Sequence, residues 1–219
     1  MTTFPGRSAA VATTAPQPAR QDRTATTTSR TTTTTTTTTP AAQPAQVVNG
    51  KGDDVVSIDP QRVGPMLLTF ECPKCSGFTF VQSDGFESIL VSTMGAYSGR
   101  SWLDVHEGSK THTLTVKADS SWTLSVDDLV VLASTPSGEP TISGHGDAVF
   151  YVPGEASKAK ITNRGGHGGF FAVEVAPTRG GRTDMAVATV GGYEGTVPFE
   201  GDAVVQVRSD GDWTLSPIE

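Results

Sequence analysis

The folded part of this 219-residue chain is written twice, and that repetition constrains its fold more than any other feature. Lys117-Ala118-Asp119-Ser120-Ser121-Trp122-Thr123-Leu124-Ser125 matches Arg208-Ser209-Asp210-Gly211-Asp212-Trp213-Thr214-Leu215-Ser216. Upstream, Val91-Ser92-Thr93-Met94-Gly95-Ala96-Tyr97-Ser98-Gly99 recurs as Val187-Ala188-Thr189-Val190-Gly191-Gly192-Tyr193-Glu194-Gly195, and Gly50-Lys51-Gly52-Asp53 recurs as Gly144-His145-Gly146-Asp147. Matches in one order at a nearly constant offset indicate two tandem copies of one domain. Residues present in both copies are then expected to serve the scaffold. Function is sought where the copies differ.

From residue 47 the chain runs in short alternating segments broken by Gly, Asp, Ser and Pro. Leu114, Val116 and Ala118 share one face, and after a turn Trp122, Leu124 and Val126 continue it; Val205, Val207, Trp213 and Leu215 repeat the pattern. This is the signature of a hairpin with one buried face. Further strands are predicted at residues 55–58, 66–70, 78–81 and 88–93, with partners at 149–152, 158–162, 170–175 and 185–189. No window has a sustained helical period. With 24 Gly and 14 Pro as punctuation, the pattern predicts an all-β chain of two tandem antiparallel β-sandwich, jelly-roll-like repeats. The predicted boundaries are 47–132 for the first repeat, 133–143 for a linker and 144–219 for the second. Each repeat is close to the smallest size at which such a core closes, so the two are expected to pack side by side.

Residues 1–46 are Thr, Ala, Pro and Gln with an unbroken run from Thr31 to Thr39. With almost nothing apolar to bury, this segment is expected to be a disordered tail or stalk. It begins with neither a signal-peptide core nor a lipid-attachment cysteine. Three accounts fit: a start lying further upstream, an anchor trimmed away, or exit without a classical signal. No apolar run reaches membrane-spanning length. The tail holds four Arg and one Asp, so of the 16 basic and 23 acidic residues 12 and 22 belong to the body, a balance of -10. An acidic body without a basic stripe argues against nucleic acid, whose binding depends on cations replacing phosphate counterions.

Cys72-Pro73-Lys74-Cys75 is the one obvious chemical motif, and three readings compete: a loop disulfide or idle thiols, half of a zinc site, and a redox pair. A redox pair belongs at a helix start, whereas this one lies between two predicted strands. A structural zinc needs four ligands, and His106, His112, His145 and His167 offer no pair at ligand spacing. The second copy has Arg164-Gly165-Gly166-His167 in the equivalent loop and so folds without the pair. Gly52-Asp53-Asp54, Gly146-Asp147 and Asp210-Gly211-Asp212 lack the spaced carboxylates of a calcium loop and read as turns. Tyr97 and Tyr193 read as rings packed over the end of each sandwich rather than as sugar platforms, and Trp122 and Trp213 as core anchors. Trp102 faces Pro198 in the repeat alignment. The scaffold does not require it, which makes it the candidate contact for a ligand or partner.

The order Gly-x-Gly-Asp, Val-x-Thr-x-Gly-x-Tyr-x-Gly and Asp-x-x-Trp-Thr-Leu over residues 50–217 resembles uncharacterised secreted or lipid-anchored actinobacterial proteins, in which one or two small β-sandwich repeats follow a Thr/Pro-rich linker. The resemblance implies an extracytoplasmic or cell-surface location and no catalytic residues. No nucleophile elbow or metalloprotease motif is present. The expectation is a non-enzymatic, cofactor-free binding or structural protein whose partner is a protein or a cell-surface glycan. The alternatives are a carbohydrate or cell-wall binding module and a virion or assembly component.

Overall fold

In the computed structural model, which describes residues 43–134, 141–165 and 168–218, each repeat contains eight strands. The first repeat holds β1 (Gln46–Lys51), β2 (Asp54–Ser57), β3 (Met66–Cys72), β4 (Phe78–Ser83), β5 (Ile89–Met94), β6 (Tyr97–Leu103), β7 (Thr113–Lys117) and β8 (Ser121–Asp128). The second holds β9 (Ile142–His145), β10 (Ala148–Val152), β11 (Lys158–Asn163), β12 (Phe170–Pro177), β13 (Asp184–Val190), β14 (Tyr193–Pro198), β15 (Ala203–Arg208) and β16 (Asp212–Ile218). The predicted tail lies outside the described residues up to position 42, as do 135–140 of the predicted linker and His167.

Each repeat is two four-stranded antiparallel sheets, in the order β1-β8-β3-β6 and β2-β7-β4-β5, and correspondingly β9-β16-β11-β14 and β10-β15-β12-β13. Strand for strand the two orders are identical, and they are those of a jelly roll. Equivalent cores fill the two sandwiches, one around Phe70, Leu114, Trp122 and Leu124, the other around Ile161, Phe171, Val205, Trp213 and Leu215.

The sequence patterns missed β1 and β6 and their copies because both carry glycine, which reads as turn. The glycines are seats for rings. Gly50 pairs across the ladder with Trp122 and Gly144 with Trp213, and a Cβ on either would overlap the indole. Each indole Nε1 then donates to the carbonyl of the following turn, Trp122 to Gly52 and Trp213 to Gly146, both at 2.9 Å. Gly99 and Gly195 likewise lie beneath Tyr97 and Tyr193, whose rings meet Phe70 and Phe171 with centroids 6.1 and 6.0 Å apart.

Three boundaries differ from the sequence reading. A short 3₁₀ helix, Leu129–Ser134, follows β8; a segment this short has no helical period to detect. Strand β9 begins at Ile142, inside the predicted linker. The body also reaches back to Gln43, whose backbone N–H donates to Asp128 at 3.0 Å. The same carboxylate accepts from the buried Arg62 at 3.2 Å, and Arg62 also donates to the Pro44 carbonyl. Among the described residues no helix is long and apolar enough to cross a membrane.

The repeats pack as one unit through a third apolar cluster. Leu67 and Trp102, on the outer face of the β1-β8-β3-β6 sheet, meet Val149 and Val204 on the outer face of the β10-β15-β12-β13 sheet. Leu129 and Leu132 of the 3₁₀ helix complete the cluster. β15 is therefore covered on both faces and its run Ala-Val-Val-Gln-Val is wholly buried, whereas its equivalent β7 alternates.

Candidate functional site

The seam between the repeats gathers the residues in which the copies differ, so the site is built outward from it. Trp102, expected to contact a ligand or an external partner, has no exposed surface, which corrects that expectation. Its partner is the second repeat of the same chain. The alignment signal was sound, because the position is free of the scaffold, but the surface it serves is internal. Pro198 and Lys158 occupy the positions of Trp102 and Leu67 in the second repeat. The outer sheet there is polar, with Lys160 paired to Glu194 at 3.1 Å and the Thr162 and Thr214 hydroxyls 2.6 Å apart. Nothing there corresponds to the Leu67 and Trp102 pair that fills the seam.

Polar groups flank the apolar seam. The buried Gln206 accepts the backbone N–H of Trp102 at 2.8 Å. Tyr97 of the first repeat donates its hydroxyl to Asp147 of the second at 2.8 Å, and the other Asp147 oxygen accepts the Ser209 N–H at 2.9 Å. The Arg100 N–H donates to the Asp147 carbonyl at 3.2 Å. Burial pushes the Asp147 carboxyl above its usual range, against the hydrogen bonds from Tyr97 and Ser209 and the nearby Arg208 charge, which pull it down. Burial and the neighbouring carboxylate raise the Tyr97 phenol as well. In the first repeat the equivalent Asp53 is exposed and accepts the Ala118 N–H, at 3.1 Å. The turn reading of both aspartates holds, and the seam adds a second role to one of them. Sequence reasoning missed Gln206 and Arg208. The signal was there in Gln206, a polar residue interrupting an apolar run.

Beside this junction lies an open groove of about 800 Å³, walled by β5 and the β5–β6 turn on one side and by the β9–β10 and β15–β16 turns on the other. Tyr97, Asp147 and Arg208 line it, with His145, Asp210 and the exposed ring of Phe170. A smaller hollow of about 380 Å³ shares Ile89 and Arg208 with it and extends to Phe86, His106 and Met185. His106 Nδ1 lies 2.8 Å from the buried Glu87, which also accepts the backbone N–H groups of Asp104 and Val105. With so many donors converging on it, Glu87 fastens the β6–β7 loop. Among the described residues, no group of three or more His, Cys, Asp or Glu is placed to hold a metal ion.

Cys72 and Cys75 are joined as a disulfide, with Cα atoms 5.5 Å apart. Asp119 braces the same loop by accepting the N–H groups of Ser76 and Gly77 and the Ser76 hydroxyl, and these bonds hold its carboxyl below the usual range. In the second repeat Asn163 stands at the Cys72 position. It donates to the Gly191 carbonyl at 3.0 Å and accepts the Ser209 hydroxyl at 2.9 Å, so hydrogen bonds replace the covalent tie.

No family model matches the sequence, and no curated protein does. Among solved structures, the chain is similar to the regulatory subunit of a cAMP-independent protein kinase A from Trypanosoma brucei, at 10% identity over 79% of this chain and 74% of that one, with a TM-score of 0.23. It is similar to the protein YhaK from Escherichia coli, at 10% identity over 82% and 86%, with a TM-score of 0.25. A third likeness is to the structure of Sulfolobus Turreted Icosahedral Virus, at 5% identity over 81% and 89%, with a TM-score of 0.23. Scores this low assign neither a family nor a function.

Proposed function

We propose that the chain is a non-enzymatic, extracytoplasmic protein in which two jelly rolls, locked into one body, present a binding or structural surface at the end of a Thr/Pro-rich stalk. The observation that carries this reading is the seam. Trp102, Leu67, Val149 and Val204 are buried between the repeats, and repeats joined this way keep a fixed relative geometry that a string of loosely linked domains lacks. A rigid pair suits a surface built from both copies. The supports for the stalk and the location are the Thr31 to Thr39 run, the acidic body and the disulfide, a bond that persists in oxidising compartments.

Two measurements test the reading. Antibodies against the body should label intact, unpermeabilised cells of the source organism, and the purified full chain should be retained by isolated cell envelope. Labelling that needs permeabilisation, together with no retention, would overturn it.

A further inference from the structure

We infer that the groove along the seam is a binding site for an extended, uncharged saccharide chain, an inference that rests on the envelope-binding reading above and specifies its ligand. At about 800 Å³, continued by a hollow of about 380 Å³ past Ile89 and Arg208, its size is that of a ligand site and its form that of a trough. A trough accommodates a chain better than a compact molecule.

The chemistry of the walls selects the class. A sugar presents apolar C–H faces and a dense set of hydroxyls, so its site needs exposed rings or apolar side chains interleaved with donors and acceptors. Met94, Phe170 and Ile89 are 72%, 54% and 48% exposed along the groove. Between them stand a guanidinium, Arg208, a carboxylate, Asp210, and the imidazole of His145. Arg208 is the key group. Its charge lies near the Asp147 carboxyl, but among the described residues the guanidinium makes no hydrogen bond, so the N–H groups it presents to the groove remain able to donate to sugar hydroxyls.

Phe170 marks the same place from the apolar side. Its equivalent in the first repeat, Phe78, stacks on Phe80 with ring centroids 5.6 Å apart. Ala172 takes the place of Phe80 in the second repeat, so Phe170 keeps a free face and has no ring partner among the described residues. The copy that borders the groove is the one whose phenylalanine is unstacked.

Other occupants fit less well. An extended peptide would add to the edge of β5, but the Leu90 carbonyl there already accepts the Ser101 hydroxyl at 3.0 Å, and the β4–β5 ladder slips between Val81 and Gln82. A polyanion would meet Asp147 and Asp210 beside a single guanidinium.

The test is a titration of the full chain, carrying labelled methyl groups on Met94 and Ile89, with neutral tetra- to hexasaccharides of the gluco-, manno-, galacto- and arabino- series and with a Thr/Pro peptide of similar length. At least one saccharide series should shift both methyl signals, and the peptide should not. Phe170→Ala and Arg208→Gln should each weaken that saccharide at least ten-fold, while Phe78→Ala leaves it unchanged; all three exchange exposed or groove-lining groups, and unchanged unfolding midpoints verify their folds. The inference is overturned if no series moves the methyl signals, if the peptide alone does, or if Phe170→Ala binds like wild type. Envelope retention separates this from the broader reading: retention undiminished in Phe170→Ala and Arg208→Gln removes the groove and leaves that reading standing, whereas absence of wild-type retention removes the reading itself.

Discussion

Exchange of Trp102 for phenylalanine isolates the character of the seam. Trp102 is fully buried, yet among the described residues nothing accepts from its indole Nε1. The smaller ring forfeits about 40 Å² of apolar burial, roughly 1 kcal/mol at about 25 cal/mol per Å². Removing an unpartnered buried N–H returns about 1–3 kcal/mol. Trp102→Phe is therefore expected to lie between neutral and about 2 kcal/mol more stable than wild type. The control is Trp122→Phe, where the same loss of area is joined by the loss of the 2.9 Å bond to Gly52, which leaves a carbonyl without its donor. That variant should lose about 2–4 kcal/mol. Trp102→Ala, which empties the seam, should lose about 3–5 kcal/mol. Urea unfolding followed in parallel by far-ultraviolet circular dichroism and fluorescence gives all three values and shows whether the repeats unfold together. If Trp102→Phe costs as much as Trp122→Phe, the reasoning about the seam is wrong.

Thermal melts should show Gly50→Ala and Gly144→Ala each losing about 1–3 kcal/mol or more, since the new methyl overlaps an indole held by its own hydrogen bond; Gly192→Ala, with its nearest contact at 3.4 Å, should change stability by less than about 0.5 kcal/mol. Asp147 gives the seam a pH dependence. Its folded carboxyl sits above the unfolded value near 3.8, so the native state holds the proton more tightly; this contribution is fully present below pH 3.8 and is lost as pH rises through the folded value. The stability of wild type relative to Asp147→Asn, measured by urea midpoints, should accordingly fall as pH is raised from 4 toward 7; a difference that grows over that range would reverse the assignment. Replacing Cys72 and Cys75 together by serine should cost about 2 kcal/mol, the constraint a four-residue loop places on the unfolded chain, and a chelator should leave the wild-type melting temperature unmoved.

Much of the fold was legible because a β-sandwich advertises itself by alternation, and a duplicated one does so twice. The Trp122 and Trp213 faces, the aspartate turns and the all-β class followed from periodicity and turn chemistry alone. Strands β1, β6, β9 and β14 escaped because their glycines read as turn: Gly50 and Gly144 answer to indoles on the neighbouring strand, Trp122 and Trp213, a contact that no local pattern encodes, whereas Gly99 and Gly195 make room for Tyr97 and Tyr193 two residues earlier on the same strand. The disulfide stayed one of several readings for the same reason. Cys72 and Cys75 are close in sequence, but whether the two sulfurs meet each other or share a metal with residues from elsewhere in the chain is a property of space.

What the sequence determined by itself was the unit: a jelly-roll-like antiparallel β-sandwich in duplicate, with the alternating faces and the Trp122 and Trp213 anchors that fill each core. How the units face each other was decided only in three dimensions. Val55 and Val149 occupy the same position in their repeats, yet the first is 61% exposed and the second 2%. Asp53 and Asp147 cap equivalent turns, and one meets solvent while the other takes the Tyr97 hydroxyl across the seam. The physical reason is that a strand's two-residue period specifies which side chains leave the core, not what meets them outside. Packing one sheet against the next repeat buries an outer face in one copy, leaves its twin in water, and opens beside the junction a groove that neither copy has alone.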